Sequence, residues 1–319
     1  MLQYLIILLD DTSTSFCHYE NTKTEHRLIP IETLKQGIRF GMVENLMIQF
    51  VYPDYELPEE YKEAIESIDH SKIKSLSPAL PEKGGGTNAD VWVVNDWNLP
   101  KDNVDVPIVL KTSKADLFAR YKELKDILAR VVRLNIVITD VETFNDEDIA
   151  TYKAVLKELA ENVETLYASG KSPQLNILTD RMMLKEMNNC GAGDTTITLA
   201  PNGKFYVCPA FYYEDEADSV GDIEHGLDIK NKQLYKLEYA PICRHCDAYQ
   251  CKRCVWLNRK TTLEVNTPSH EQCVVAHLER NASAELLKCI RKHGVFLPDQ
   301  EEIKETEYLD PFENREKWQ

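Results

Sequence analysis

At 319 residues, with 43% hydrophobic and 28% charged side chains, the chain can fill one large core or two smaller ones, which excludes a disordered chain or a stapled mini-protein. Lys and Arg total 37 against 53 Asp and Glu, a net charge of −16, so the surface as a whole repels phosphate backbones and anionic lipid, and nucleic acid is not expected as a partner. The longest apolar run, Tyr4 to Leu9, falls far short of the roughly 20 residues of a membrane span and lacks a signal peptide's basic leader; the expected location is the cytoplasm, where clustered thiols stay reduced and bind metal more often than they pair.

Tyr4 to Leu9 reads as a buried strand. Ile31 to Asn45 follows as a helix, with Ile31, Leu34, Ile38 and Met42 at three- and four-residue steps, and Leu46 to Val51 as a second strand, which completes a βαβ unit. Glu59 to Ile68 is expected to be helical and Ile73 to Leu76 a third strand; Pro78, Pro81 and Gly84-Gly85-Gly86 then mark a loop, with no following Lys-Ser/Thr to make it a phosphate cradle. Ala89 to Val94 and Val106 to Leu110 are strand candidates, Lys114 to Arg130 and Asn145 to Ser169 helices, and Leu134 to Thr139 and Leu175 to Leu178 further strands. Strands separated by helices imply an α/β fold with a parallel sheet, curled into a partial barrel or laid flat and doubly wound; periodicity leaves both open.

After about Met187 the pattern gives way to cysteines, glycines and short strands, and the chain closes with an acidic stretch from Asp299 to Gln319 that reads as a solvated tail. Seven of the nine cysteines fall between Cys190 and Cys273, spaced Cys190, Cys208, then Cys243-x2-Cys246-x4-Cys251-x2-Cys254, then Cys273. A Cys-x2-Cys pair turns two thiolates toward one site through a tight loop, and distant cysteines complete the tetrahedron or the cluster cage. Asn202-Gly203 before Lys204 to Val207 reads as a hairpin turn that carries Cys208 toward the others. Spacing alone supports structural zinc and iron–sulfur equally, and seven thiolates leave one of two four-cysteine sites a ligand short. Arg244, His245, Lys252, Arg253, Arg259 and Lys260 make this region locally basic.

Cys190, then Gly203-Lys204-Phe205-Tyr206-Val207-Cys208, the quartet Cys243 to Cys254 and the later Cys273 resemble the SPASM domain that follows the barrel of radical SAM peptide-modifying enzymes. The resemblance implies one 4Fe-4S auxiliary cluster on Cys243, Cys246, Cys251 and Cys273. It implies a second on Cys190, Cys208 and Cys254, where Asp194 stands in place of the further cysteine some members carry. That family also carries Cys-x3-Cys-x2-Cys after its first strand, three thiolates that leave one iron free for S-adenosylmethionine. Here Ser13, Cys17 and Glu20 fall at those places, with Tyr19 at the aromatic of the motif, and Val51-Tyr52-Pro53-Asp54 replaces the glycine-rich motif expected after the second strand. A serine and a carboxylate do not replace soft thiolates on iron, so S-adenosylmethionine cleavage is not expected.

Over its whole length the chain resembles the CXXX repeat peptide maturase family, through Leu5-Ile6-Ile7-Leu8-Leu9-Asp10-Asp11-Thr12-Ser13, Asn45 to Pro53 and the cysteine region. The resemblance implies a degenerate radical SAM-like partial barrel over 1–185, a SPASM-like metal-binding domain over 186–296 and a tail over 297–319. It also implies a part in maturing a ribosomally made cysteine-repeat peptide. The chain would act as a maturase using its auxiliary clusters, or as a non-catalytic adaptor recruiting precursor peptide to a partner radical SAM enzyme, with structural zinc or clusters.

Overall fold

The computed structural model describes residues 1–76 and 89–303. The Pro78–Gly86 loop and the tail from Lys304 lie outside the described residues. In chain order the elements are β1 (Tyr4–Leu8), α1 (Ile31–Val43), β2 (Met47–Val51), α2 (Glu59–Glu66), β3 (Ser71–Ser75), β4 (Val91–Val94), β5 (Ile108–Thr112), α3 (Lys114–Arg120), α4 (Glu123–Leu128), β6 (Arg133–Ile138), α5 (Asp146–Ala168), β7 (Gln174–Leu175), α6 (Asp180–Met183), β8 (Thr196–Leu199), β9 (Phe205–Tyr206), α7 (Pro209–Glu214), α8 (Val255–Thr262) and α9 (His270–Arg291). They form two compact units, Met1–Val94 with Cys190–Tyr239, and Asn95–Asn189 with the chain from Ala240.

In the first unit β4, β3, β2, β1 and β8 lie side by side in parallel, and β9 closes the edge antiparallel to β8. The β1 run of Leu5, Ile6, Ile7 and Leu8 is buried throughout, as a strand with neighbours on both sides and a covered face requires. Helix α1 covers this sheet differently from its apolar pattern. Met42 is 63% exposed, and Gly37 and Gly41, one turn apart, face the strands instead. A Cβ on Gly37 would come within 2.5 Å of Leu199 and one on Gly41 within 2.6 Å of Ile48, so the helix backbone lies directly on the sheet. The expected hairpin is present: Gly203 adopts φ +76°, Ala200 and Lys204 share a backbone hydrogen bond of 3.0 Å, and β9 delivers the chain to Cys208, the residue before α7.

In the second unit β5, β6 and β7 run parallel, and the long helices α5 and α9 pack on one another. Helix α5 starts at a capping box in which the Asn145 side chain accepts from the Asp148 N–H and the Asp148 carboxylate accepts from the Asn145 N–H. Two expectations are corrected here. The helix expected over Lys114 to Arg130 is broken into α3 and α4 at Tyr121-Lys122, which lets Tyr121 Oη (2.6 Å) and Lys125 Nζ (3.1 Å) both reach Glu158 on α5. The strand expected over Leu175 to Leu178 ends after Leu175. There the Thr179 hydroxyl accepts from the Leu175 N–H at 2.8 Å and donates to its carbonyl at 3.1 Å, winding the chain into α6. No helix among the described residues is long and apolar enough to cross a membrane.

Candidate metal centres

In the second unit, a short 3-10 turn at Cys243–His245 leads into Cys246, and the loop is then clamped to α9. Gln250 Nε2 donates to the Ala276 carbonyl at 2.7 Å, and Arg280, 1% exposed, pairs with the Asp247 carboxylate. Arg181 holds the same loop from α6, its Nε donating to the Asp247 carbonyl at 2.6 Å and its guanidinium lying 4.2 Å from the centre of the Tyr249 ring. These clamps aim hydrogen-bond donors at sulfur. The Ala248 N–H lies 3.4 Å from Cys246 Sγ and the Arg253 N–H 3.5 Å from Cys251 Sγ, the latter made possible by φ +45° at Arg253.

Cys273 sits in the first turn of α9, whose N-cap Ser269 accepts from the Gln272 N–H. One turn on, His277 is 5% exposed and its Nε2 lies 3.4 Å from Cys246 Sγ. Burial pushes the Cys243 thiol up to about 11 against the opposing pull of Arg253, and burial likewise raises Cys246. Cys251 is raised furthest, first by burial, with Cys243, Cys246 and Cys273 close enough to add to it. Cys243, Cys246 and Cys273 therefore each lie within electrostatic reach of Cys251. The basic residues are largely engaged: Lys252 donates to the Asn188 carbonyl (3.2 Å), Lys260 pairs with Glu142 (2.7 Å), and Arg253 is 3% exposed.

Cys190 and Cys208 belong to the first unit and Cys254 to the second. Cys190 is exposed and precedes a tight turn in which Thr195 and Thr196 donate to the Gly191 carbonyl at 2.8 and 2.9 Å. A Cβ on Gly193 would meet the Tyr235 ring at 2.6 Å, and Gly191 and Gly193 both have positive φ, so only glycine fits there. Burial raises the Cys208 thiol, with Cys190 and then Cys17 adding to it. Asp194 is half-buried in this turn.

The loop after β1 is built otherwise. The Ser13 hydroxyl donates to the Val51 carbonyl at 2.9 Å and accepts the Asp10 N–H at 3.0 Å. Asp10, fully buried, accepts from Thr12 N–H (2.8 Å), Thr12 Oγ1 (2.6 Å) and Tyr55 Oη (2.9 Å), which outweigh burial and lower its carboxyl. Asp11 pairs with Arg27 Nε at 2.9 Å and accepts from Tyr212 Oη; Glu216 binds Lys23 (2.7 Å), Arg27 (2.6 Å) and Asn202 (3.1 Å), and against its burial these donors bring its carboxyl down to about 2. Tyr19 stacks on Tyr213 at 5.5 Å, Cys17 is half-buried and Glu20 is exposed.

Among the described residues no three His, Cys, Asp or Glu side chains close in on a single-ion site. A 4Fe-4S cluster asks for a different arrangement, since each thiolate binds its own corner iron. The donor set Cys243, Cys246, Cys251 and Cys273 fits such a cluster in chemistry and count. Ser13, Cys17 and Glu20 do not fit one: a single thiol, a hydroxyl with both its donor and an acceptor position engaged, and an exposed carboxylate offer no cage. His277 was not legible as part of the centre except as a Cys273-x3-His277 step, which puts both on one helix face.

The parallel βα units define an α/β fold that solved radical SAM enzymes share. Two solved structures of anSMEcpe, an anaerobic sulfatase-maturating enzyme, share it: one with bound AdoMet (TM-score 0.58, 13% identity, 93% of this chain and 97% of that one) and one with AdoMet and the Cp18Cys peptide (0.57, 13%, 92% and 100%). Streptococcus suis SuiB bound to S-adenosylmethionine is similar at TM-score 0.51 and 10% identity, over 86% of this chain and 77% of that one. At such identities the likeness is one of fold. No family model matches the chain, and no curated protein matches it.

Proposed function

We propose that the chain takes part in maturing a ribosomally made cysteine-repeat peptide in the cytoplasm, holding 4Fe-4S auxiliary clusters and not cleaving S-adenosylmethionine. The observation that carries this reading is the contrast within one radical SAM-like fold. The cysteine loop of the second unit directs backbone N–H groups at the sulfurs of Cys246 and Cys251, while the loop after β1 is closed on itself through Ser13, Asp10 and Asp11. Cys243, Cys246, Cys251 and Cys273 hold one cluster, and Cys190, Cys208 and Cys254 are assigned to the other. When bound, such clusters supply electron transfer or an iron that accepts a thiolate. The protein's residues would supply four cysteine sulfurs that lose their protons on binding, a buried setting, and N–H groups directed at Cys246 and Cys251. Peptide partners are named for the structural neighbours, Cp18Cys for anSMEcpe and the precursor SuiA for SuiB, and support a peptide partner here.

A second reading, an adaptor that brings precursor peptide to a partner radical SAM enzyme, is favoured by the engaged Ser13 hydroxyl, which leaves the loop after β1 no site for a radical-generating cluster. One experiment tests both. Anaerobically reconstituted protein with dithionite and S-adenosylmethionine gives no 5′-deoxyadenosine above a protein-free control, with or without a cysteine-repeat peptide, yet binds that peptide in calorimetry. Turnover that Cys17→Ala abolishes would overturn the loss of the radical step, and failure to bind the peptide would overturn the maturation role. A peptide with its repeat cysteines changed to serine binds more weakly if an iron captures substrate thiolate, and equally well if the chain serves as an adaptor.

A further inference from the structure

The second-unit centre carries one feature that the cysteine spacing does not account for. His277 is buried, lies one helical turn past Cys273, and directs Nε2 at Cys246 Sγ from 3.4 Å. The same sulfur receives the Ala248 N–H at 3.4 Å. Arg280, a turn further along α9, is buried against Asp247, the residue next to Cys246.

A sulfur bound to iron has no proton and can only accept, so Nε2 must then carry the hydrogen of that contact. Four thiolates already meet the four irons of a cluster, one each, which leaves the imidazole no iron to bind. Its role is therefore that of a donor and not of a fifth ligand. Adding one electron to a cluster places negative charge on its sulfurs, and N–H groups directed at those sulfurs, together with a nearby guanidinium, favour the reduced form.

We propose that His277 is a positioning residue of the Cys243, Cys246, Cys251, Cys273 centre, whose Nε2–H donates to Cys246 and raises the reduction potential of the cluster there, making this centre an electron acceptor. The inference rests on the reading that these cysteines hold a 4Fe-4S cluster. The imidazole also fixes the loop relative to α9, since Cys246 and Cys273 lie far apart in sequence and His277 joins the helix that bears one to the sulfur of the other.

The test is a potentiometric titration, followed by electron paramagnetic resonance, of the full-length reconstituted protein with dithionite as the one-electron donor. Wild type is compared with His277→Leu, which fills the space without an N–H, and His277→Gln, which keeps an N–H donor. Iron content should be the same in all three. His277→Leu should make reduction about tenfold less favourable, a fall of about 59 mV for one electron, and His277→Gln should restore most of the difference. Unchanged potential in both variants would overturn the proposal. Loss of iron in both variants would overturn it too, by making the histidine a ligand. Wild type that binds zinc or no metal would overturn the cluster reading itself, and is told apart by elemental analysis before any titration.

Discussion

The loop after β1 and the loop of the cysteine quartet treat their polar groups in opposite ways. After β1, nearly every donor has a local acceptor: Ser13 bridges Asp10 and Val51, Asn21 Nδ2 lies 2.8 Å from the Asp11 carbonyl and 2.8 Å from that of Ser13, and Arg27 and Lys23 are shared between Asp11 and Glu216. In the quartet loop, the backbone N–H groups of Ala248 and Arg253 and the His277 imidazole meet sulfur instead. Cys208 in the first unit also receives backbone N–H groups, from Ala210 and Phe211, but burial raises its thiol and Cys190 and Cys17 add to it. A loop that satisfies itself is rigid and chemically closed. One that directs donors at thiols is arranged for thiolates, which need them.

The largest effect should come from removing sulfur where donors await it. Cys243→Ala/Cys246→Ala should release metal and leave the segment around 240–275 more protease-sensitive, because bound metal would tie the loop together through its sulfurs. Limited proteolysis with metal analysis reads both effects, and unchanged metal content would refute these ligands.

The converse change belongs to the first unit. Asp11→Ala strips Arg27 of its buried partner and Tyr212 of its acceptor, and with Arg27 half-exposed the cost should be about 1–2 kcal/mol, a fall of a few degrees in Tm, with metal content unchanged. Loss of metal in this variant would show that the loop after β1 shapes a metal site after all.

A smaller and graded effect concerns pH. Metal must displace the proton of each thiol, and burial has pushed Cys243 up to about 11 and raised Cys246 and Cys251 as well. The thiols are protonated at neutral pH, so apparent metal affinity should rise as pH rises toward that value and binding should release protons. Calorimetry in two buffers of different ionisation heat counts them; buffer-independent heats would mean the thiols were already ionised.

Much of this contrast could be read from the chain, and the part that could not has a physical reason. The buried β1 run, the capping start of α5 and the hairpin before Cys208 are local patterns, and local patterns are visible in sequence. The cysteine spacing is equally local in its tight pairs. Met42 breaks the apolar pattern because the buried face of the helix is made by Leu34, Gly37, Ile38 and Gly41, two of them glycines that press the backbone on the sheet, so apolar period and burial part company at Met42. The break at Tyr121 and the winding at Thr179 go with side-chain bonds, to Glu158 and to the Leu175 backbone, that propensity does not weigh. The Asp11, Arg27, Tyr212 and Glu216 network joins residues some two hundred positions apart, and His277 meets Cys246 only because Gln250 and Arg280 fasten the loop to α9.

The most direct measurement is iron per chain after anaerobic reconstitution of wild type, Cys17→Ala and Cys243→Ala/Cys246→Ala, side by side. Cys17→Ala should keep all the wild-type iron and the double variant should lose about four irons, the content of one cluster. Iron lost on replacing Cys17, with the double variant unaffected, would contradict the division of labour between the two loops.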